Sequence, residues 1–196
     1  MSNTILYFHG FKSSSNSDKA QEFKKFIENK TSQTKIIIPD LEDDFKEAHK
    51  QIETLIDENS PNILYMGSSL GGYYALYFAQ LYKSKSVLIN PAIAPLNDFE
   101  IHLGKNENYA TGNKFTISKD DISYVRSLHH KKILEPKNNL ILLESGDEIL
   151  NYVESSSYFR GSYIDIFYPA QLSVDDWQKE YAKFKKERDG KKEDEV

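Results

Sequence analysis

Six short apolar runs rich in Ile, Leu, Val and Tyr recur along the chain, at residues 5–8, 36–38, 63–66, 87–89, 140–143 and 163–167. Most are too short and too continuous for a surface helix or an alternating half-exposed strand. They predict buried strands of a parallel sheet covered on both faces. Helical periods lie between them. Ala20, Phe23, Phe26 and Ile27 share one helical face, behind an Asp18 to Gln21 spacing that predicts a capping box. Phe45, Ala48, Ile52, Leu55 and Ile56 repeat the period until Asn59-Ser60-Pro61 stops it, and Tyr73, Leu76, Tyr77 and residues 79–81 make a helix apolar enough to be buried. This alternation predicts an α/β fold: a compact, mostly parallel sheet with helices on both faces, whose functional sites gather beyond the carboxyl ends of the strands.

The rhythm breaks once. Residues 91–138 carry scattered polar and aromatic positions, a short helix at about 119–127 and no clear strand. Loops of that length inside one domain usually act as lids or binding segments, so 90–138 is expected to form a cap or substrate-side segment; the plainer alternative is a surface excursion without a role. Residues 185–196 are almost all charged and predict a solvated tail, which leaves 1–184 as a single domain.

Composition narrows the chemistry. The 196 residues include no cysteine, which excludes disulfide scaffolds, zinc-thiolate sites, iron–sulfur clusters and cysteine nucleophiles. A net charge of −5, with no segment that concentrates lysine and arginine alone, argues against nucleic acid or an anionic membrane as partner. No run approaches the ~20 apolar residues of a bilayer span, and the start lacks the basic flank and apolar stretch of a signal peptide. The cytoplasm is therefore the expected location. The pair His129-His130 lacks the spacing that sets two ligands on one helix face, so no metal or other cofactor is expected.

The strand at 63–66 runs into Gly67-Ser68-Ser69-Leu70-Gly71-Gly72, which fits G-x-S-x-G with Ser69 at the centre and a buried helix starting at once. That placement predicts a nucleophile elbow, in which small neighbours permit a sharp turn and strained backbone aims the serine Oγ outward. A capping serine at a glycine-rich helix start is the structural alternative. The first strand ends in Phe8-His9-Gly10-Phe11-Lys12. A His-Gly pair there suits half of an oxyanion hole, with Gly10 letting the Phe11 amide face the site and the Leu70 amide supplying the other half. His9 itself suits a structural bond to nearby backbone. After the run at 140–143 comes Glu144-Ser145-Gly146-Asp147-Glu148, a turn that places Asp147, with Glu148 as fallback, where the carboxylate of a Ser, Asp, His order belongs. A plain helix cap is the alternative for Asp147.

Five ordered motifs carry a resemblance. They are residues 6–11 (Leu-Tyr-Phe-His-Gly-Phe), residues 67–75 around the elbow, Asn90-Pro91-Ala92, residues 103–108 with Thr111-Gly112, and residues 146–150. Together they resemble the YqiA/YcfP family of small bacterial α/β-hydrolase esterases, over residues 4 to 152. The resemblance implies a serine esterase that hydrolyses short acyl esters or thioesters, with Ser69 as nucleophile, Asp147 as acid and residues 90–115 on the substrate side.

One feature departs from that family, which closes its triad with a histidine after the last strand. Here Tyr168-Pro169-Ala170-Gln171 stands in that place, and no histidine follows His130. The amide of Gln171 can hydrogen-bond a serine but cannot take its proton. Removing the histidine from a serine protease triad lowers turnover about 10⁶-fold and leaves roughly 10³ to 10⁴ over water. A substitute base among His9, His102, His129 and His130, or a non-catalytic hydrolase-fold protein that binds a ligand at the Ser69 pocket, are the two readings that follow.

Overall fold

Each of the six apolar runs becomes a strand in the computed structural model of the protein, which describes residues 3–30, 33–59, 61–147, 149–168 and 182. The strands are β1 (Asn3–Phe8), β2 (Thr34–Ile37), β3 (Ile63–Ser69), β4 (Lys85–Pro91), the short pair β5 (Gly104–Glu107) and β6 (Lys114–Ile117), then β7 (Asn139–Glu144) and β8 (Tyr163–Phe167). Six of them pair in the order β2-β1-β3-β4-β7-β8, every neighbour parallel. The runs read as continuous because both faces are covered. Leu6 and Phe8 enter one core while Ile5 and Tyr7 enter the other.

Helix α1 (Asp18–Lys30) lays Ala20, Phe23 and Ile27 on the second of these faces. On the first lie α2 (Phe45–Asn59), α3 (Leu70–Leu81), α4 (Lys119–Ser127) and α5 (Tyr152–Tyr158), through residues such as Ile52, Phe78, Val125 and Tyr158. Helix α3 starts directly from β3 and is buried at nearly every position of its first turns, so it has no polar face to form a stripe. No helix among the described residues is long and apolar enough to cross a membrane.

Two local expectations are corrected. The capping box at Asp18 and Gln21 does not form: Asp18 lies inside the first turn, and the Gln21 amide nitrogen donates to the Ser15 carbonyl at 2.7 Å, tying the helix to the loop after β1. A capping box forms instead at α4, where Ser118 Oγ accepts from the Asp121 amide and Asp121 Oδ2 accepts from the Ser118 amide. The stretch 91–138, expected to hold no clear strand, contains the antiparallel hairpin β5–β6, separate from the main sheet. Its strands are four residues long and half exposed, so they present no apolar run.

Tertiary bonds hold this segment in place. Asn108, 3% exposed, donates from Nδ2 to Asp43 Oδ1 at 2.7 Å and to the Ser13 carbonyl at 3.3 Å, stapling the hairpin turn to the loop after β1. Arg126 of α4 donates to the carbonyls of Pro95 and Leu96 and forms a two-pronged ion pair with Glu100. Residues 95–108 are thereby clamped at both ends. Residues 185–196, read as a charged tail, lie outside the described residues.

Candidate active site

Ser69 stands at the junction of β3 and α3 with φ 53° and ψ −121°, a conformation most side chains avoid. Strain of this type typically costs 1–3 kcal/mol and persists only where the surroundings enforce it. They do so through close packing. A Cβ at Gly71 would lie 2.1 Å from the Phe8 carbonyl oxygen, and one at Gly67 would lie 2.2 Å from the Gly71 carbonyl oxygen. The helix start therefore presses directly on the end of β1, which only glycine permits. The Ser69 carbonyl accepts from the Ala92 amide at 3.0 Å, which fixes the bend from the β4 side. Ser69 makes no side-chain cap bond to its helix and remains partly exposed, which disfavours the capping alternative.

The loop after β1 faces this bend. A Cβ at Gly10 would lie 3.4 Å from the Ser69 Cβ, so Gly10 sits across from the serine. The Phe11 amide donates to no described partner, and the Leu70 amide, first of α3, is one of those a helix leaves without an intrahelical acceptor. The positive end of the α3 dipole lies here too. The Phe11 ring packs against Phe45, Phe99, His102 and Phe115, with centroids 4.9–6.1 Å apart, so residues of the segment 90–138 hold the loop after β1.

From the other side comes a carboxylate network. Asp147 Oδ1 accepts from the amides of Ile149 and Leu150, at 2.9 and 2.8 Å, and Oδ2 accepts from Asn90 Nδ2 at 3.2 Å. Asn90 Nδ2 also donates to Glu144 Oε2 at 2.9 Å, while Asn90 Oδ1 accepts from the Glu144 amide at 2.7 Å. Asn90, the penultimate residue of β4, has φ 39°, a left-handed setting that asparagine tolerates well, and its neighbour Pro91 pairs with Ser69 across the sheet. Asp147 is thus tethered one residue from the serine's strand partner. The roles of Asn90 and of buried Glu144 were not evident from the residues alone, although Asn90-Pro91-Ala92 marked the place. Glu148 and Gln171 lie outside the described residues.

The histidines separate clearly. His9 is buried; its Nδ1 donates to the Gly10 carbonyl at 2.9 Å and its Nε2 accepts from the Leu41 amide at 3.0 Å. Both nitrogens serve the backbone, and burial lowers its pKa, so His9 is a neutral structural brace. His129 bonds the Arg126 carbonyl. His130 stacks on Tyr77 and bonds its carbonyl, eight residues or roughly 12 Å of helix beyond Ser69. His49 bonds Tyr124 and meets Phe78 edge-on. His102 alone has no hydrogen-bonded ring nitrogen among the described residues; its ring rests edge-on against Phe11 at 4.9 Å and Phe99 at 5.1 Å. Burial, aided by the nearby Lys12 charge, lowers its pKa and keeps it neutral near pH 7. No cluster of three metal-ligating side chains occurs among the described residues.

The parallel sheet, the strained serine between strand and helix, and the loop after β1 facing it define an α/β-hydrolase fold. Est1E from Butyrivibrio proteoclasticus superposes on it with a TM-score of 0.66, over 96% of this chain and 89% of its own, at 15% identity, and the Pyrococcus furiosus esterase PF2001 with a TM-score of 0.59, over 94% of this chain and 82% of its own, at 13% identity. The chain belongs to the uncharacterised protein family UPF0227, whose family model matches residues 4–183. A UPF0227 protein of Vibrio vulnificus is 32% identical over 113 residues; that match spans 54% of this chain and 59% of the Vibrio protein's length. The UPF0227 protein YcfP of Escherichia coli is 27% identical over 160 residues, 78% of this chain and 79% of its own.

Proposed function

We propose that the protein is a serine hydrolase that cleaves short-chain acyl esters or thioesters through an acyl-enzyme at Ser69. The observation that carries this reading is the backbone of Ser69, held at φ 53° by close-packed glycines opposite the Gly10–Phe11 loop. Strain maintained at a partly exposed serine serves chemistry better than stability. In this reading Ser69 Oγ loses its proton to a base and attacks the acyl carbon. The carbonyl electron pair moves onto oxygen, and the Phe11 and Leu70 amides stabilise that charge. Collapse expels the alcohol or thiol, which takes the proton back from the base. Water repeats the sequence to release the acid. That one of the solved structures similar to this one is an esterase supports the choice.

We assign the base to His102, the histidine with a free and neutral ring beside Phe11. His102 rests against Phe11 of the loop after β1, whereas Asp147 follows β7 and is bonded to Asn90 of β4. His102 then works without a carboxylate behind it. Disabling the triad aspartate in a serine protease lowers kcat about 10⁴-fold, and a comparably slow enzyme is expected here. The second reading, a hydrolase-fold protein that binds a ligand at Ser69 without turning it over, is favoured by the absence of a histidine after His130. Hydrolysis of p-nitrophenyl butyrate separates them. A slow rate that Ser69→Ala and His102→Ala each abolish supports the hydrolase, and an unmodified rate equal to that of Ser69→Ala supports the binder.

A further inference from the structure

Beside the loop after β1, Lys12, Tyr109 and residues of the β5–β6 hairpin line an open groove of about 670 Å³, within the range of small-molecule sites. Its charge runs against that of the molecule. The chain carries a net −5, whereas the charged residues lining the groove are Lys12, Lys105, Lys114 and Glu107. No salt bridge among the described residues engages any of these lysines, Glu107 included as a possible partner. Lys12 is also positioned. Its Nζ lies 5.2 Å from the ring centroids of both Phe11 and Tyr109, and its carbonyl accepts from the Tyr109 amide at 3.2 Å. The ammonium is therefore held where the groove meets Phe11, next in the chain to Gly10, which sits across from Ser69. Tyr109, 83% exposed, adds an open aromatic wall.

We infer that this groove holds an anionic group, a carboxylate or a phosphate, on the ester that Ser69 cleaves, with Lys12 as the inner cation and Lys105 and Lys114 as the outer ones. The inference rests on the hydrolase reading for its substrate but not for its site. An anion so placed gains from three lysines set against the single carboxylate of Glu107 and loses that gain when salt screens it.

Two substrate pairs test it and locate the anion. p-Nitrophenyl hemisuccinate against p-nitrophenyl butyrate places a carboxylate on the acyl half; 3-carboxy-4-nitrophenyl butyrate against p-nitrophenyl butyrate places it on the leaving half. One of the two anionic esters should be preferred in kcat/KM by about tenfold or more. The preference should collapse toward unity in the triple variant Lys12→Met, Lys105→Met, Lys114→Met and shrink in high salt. Equal kcat/KM for neutral and anionic esters, or a preference the triple variant retains, overturns the inference. If no ester is turned over, the hydrolase reading fails separately, and calorimetric titration of the intact protein with succinate and with pyrophosphate reads the groove alone. Saturable binding that the triple variant loses upholds the anion site; no saturable binding, or equal binding by the variant, removes it.

Discussion

Gly71→Ala probes the contact on which the elbow depends. The added Cβ would meet the Phe8 carbonyl oxygen at 2.1 Å and the His9 carbonyl oxygen at 2.5 Å, both backbone atoms with no rotamer to yield. Relief requires α3 and the end of β1 to separate by roughly an ångström. Overpacking a core typically costs 1–3 kcal/mol, and rigid neighbours place this case at the upper end, about 3 kcal/mol. Replacing glycine by alanine inside a helix returns about 1 kcal/mol. A net loss of about 2 kcal/mol lowers the midpoint of a 150–250-residue protein by roughly 4–8 °C. Thermal unfolding by circular dichroism measures this, with Gly112→Ala as comparator. Gly112 has φ 75° and open space around its Cβ position, so its substitution carries the backbone penalty without a clash. Because the displaced segment leads into Gly10 and Phe11, Gly71→Ala should also slow reaction at Ser69, whereas Gly112→Ala should not. A Gly71→Ala midpoint within about 1 °C of the unmodified protein would refute the close approach, given the 2–4 °C expected per kcal/mol.

Asn90→Ala removes the amide shared by Glu144 and Asp147 and leaves the Glu144 amide without its acceptor; a destabilisation of about 2–4 kcal/mol is expected in urea unfolding, since hydrogen bonds to charged groups are worth about 1.5–3 kcal/mol each. The pKa of His9 is lowered on folding from 6.5, so the unfolded chain binds more protons just below that pH. Stability conferred by neutral His9 is thus complete above pH 6.5 and declines as pH falls toward the lowered folded value; His9→Gln should flatten that part of the unfolding free energy against pH profile. For the same reason, hydrolysis that depends on His102 should rise with pH to a plateau whose midpoint lies below 6.5. Arg126→Lys keeps the charge but not the fork that grips Pro95, Leu96 and Glu100; limited proteolysis should then cut residues 95–103 faster than in the unmodified protein.

The main sheet was readable from the chain because burial on both faces turns each strand into an unbroken apolar run. β7, buried at all six positions, is the extreme case. The elbow was readable because G-x-S-x-G between a strand and a buried helix answers a local steric demand. The β5–β6 hairpin was not. It is stabilised by Asn108, Phe115 and other contacts to distant loops rather than by its own apolar content, and no local pattern reports such contacts. Asp147 was placed by its turn, but its tether to Asn90 joins residues 57 positions apart and emerges only when β4 and β7 lie side by side. The roles of the histidines followed the same rule: five rings in the sequence look alike, and only their neighbours separate the brace at His9 from the free ring at His102.

The most direct test of the account is whether Ser69 reacts as an activated nucleophile. The protein is treated with a fluorophosphonate and digested, and the modified peptide is identified by mass spectrometry. The account predicts a single adduct on Ser69, absent from Ser69→Ala and strongly reduced in His102→Ala. An unmodified protein after prolonged treatment, or an adduct on any other residue, would contradict it.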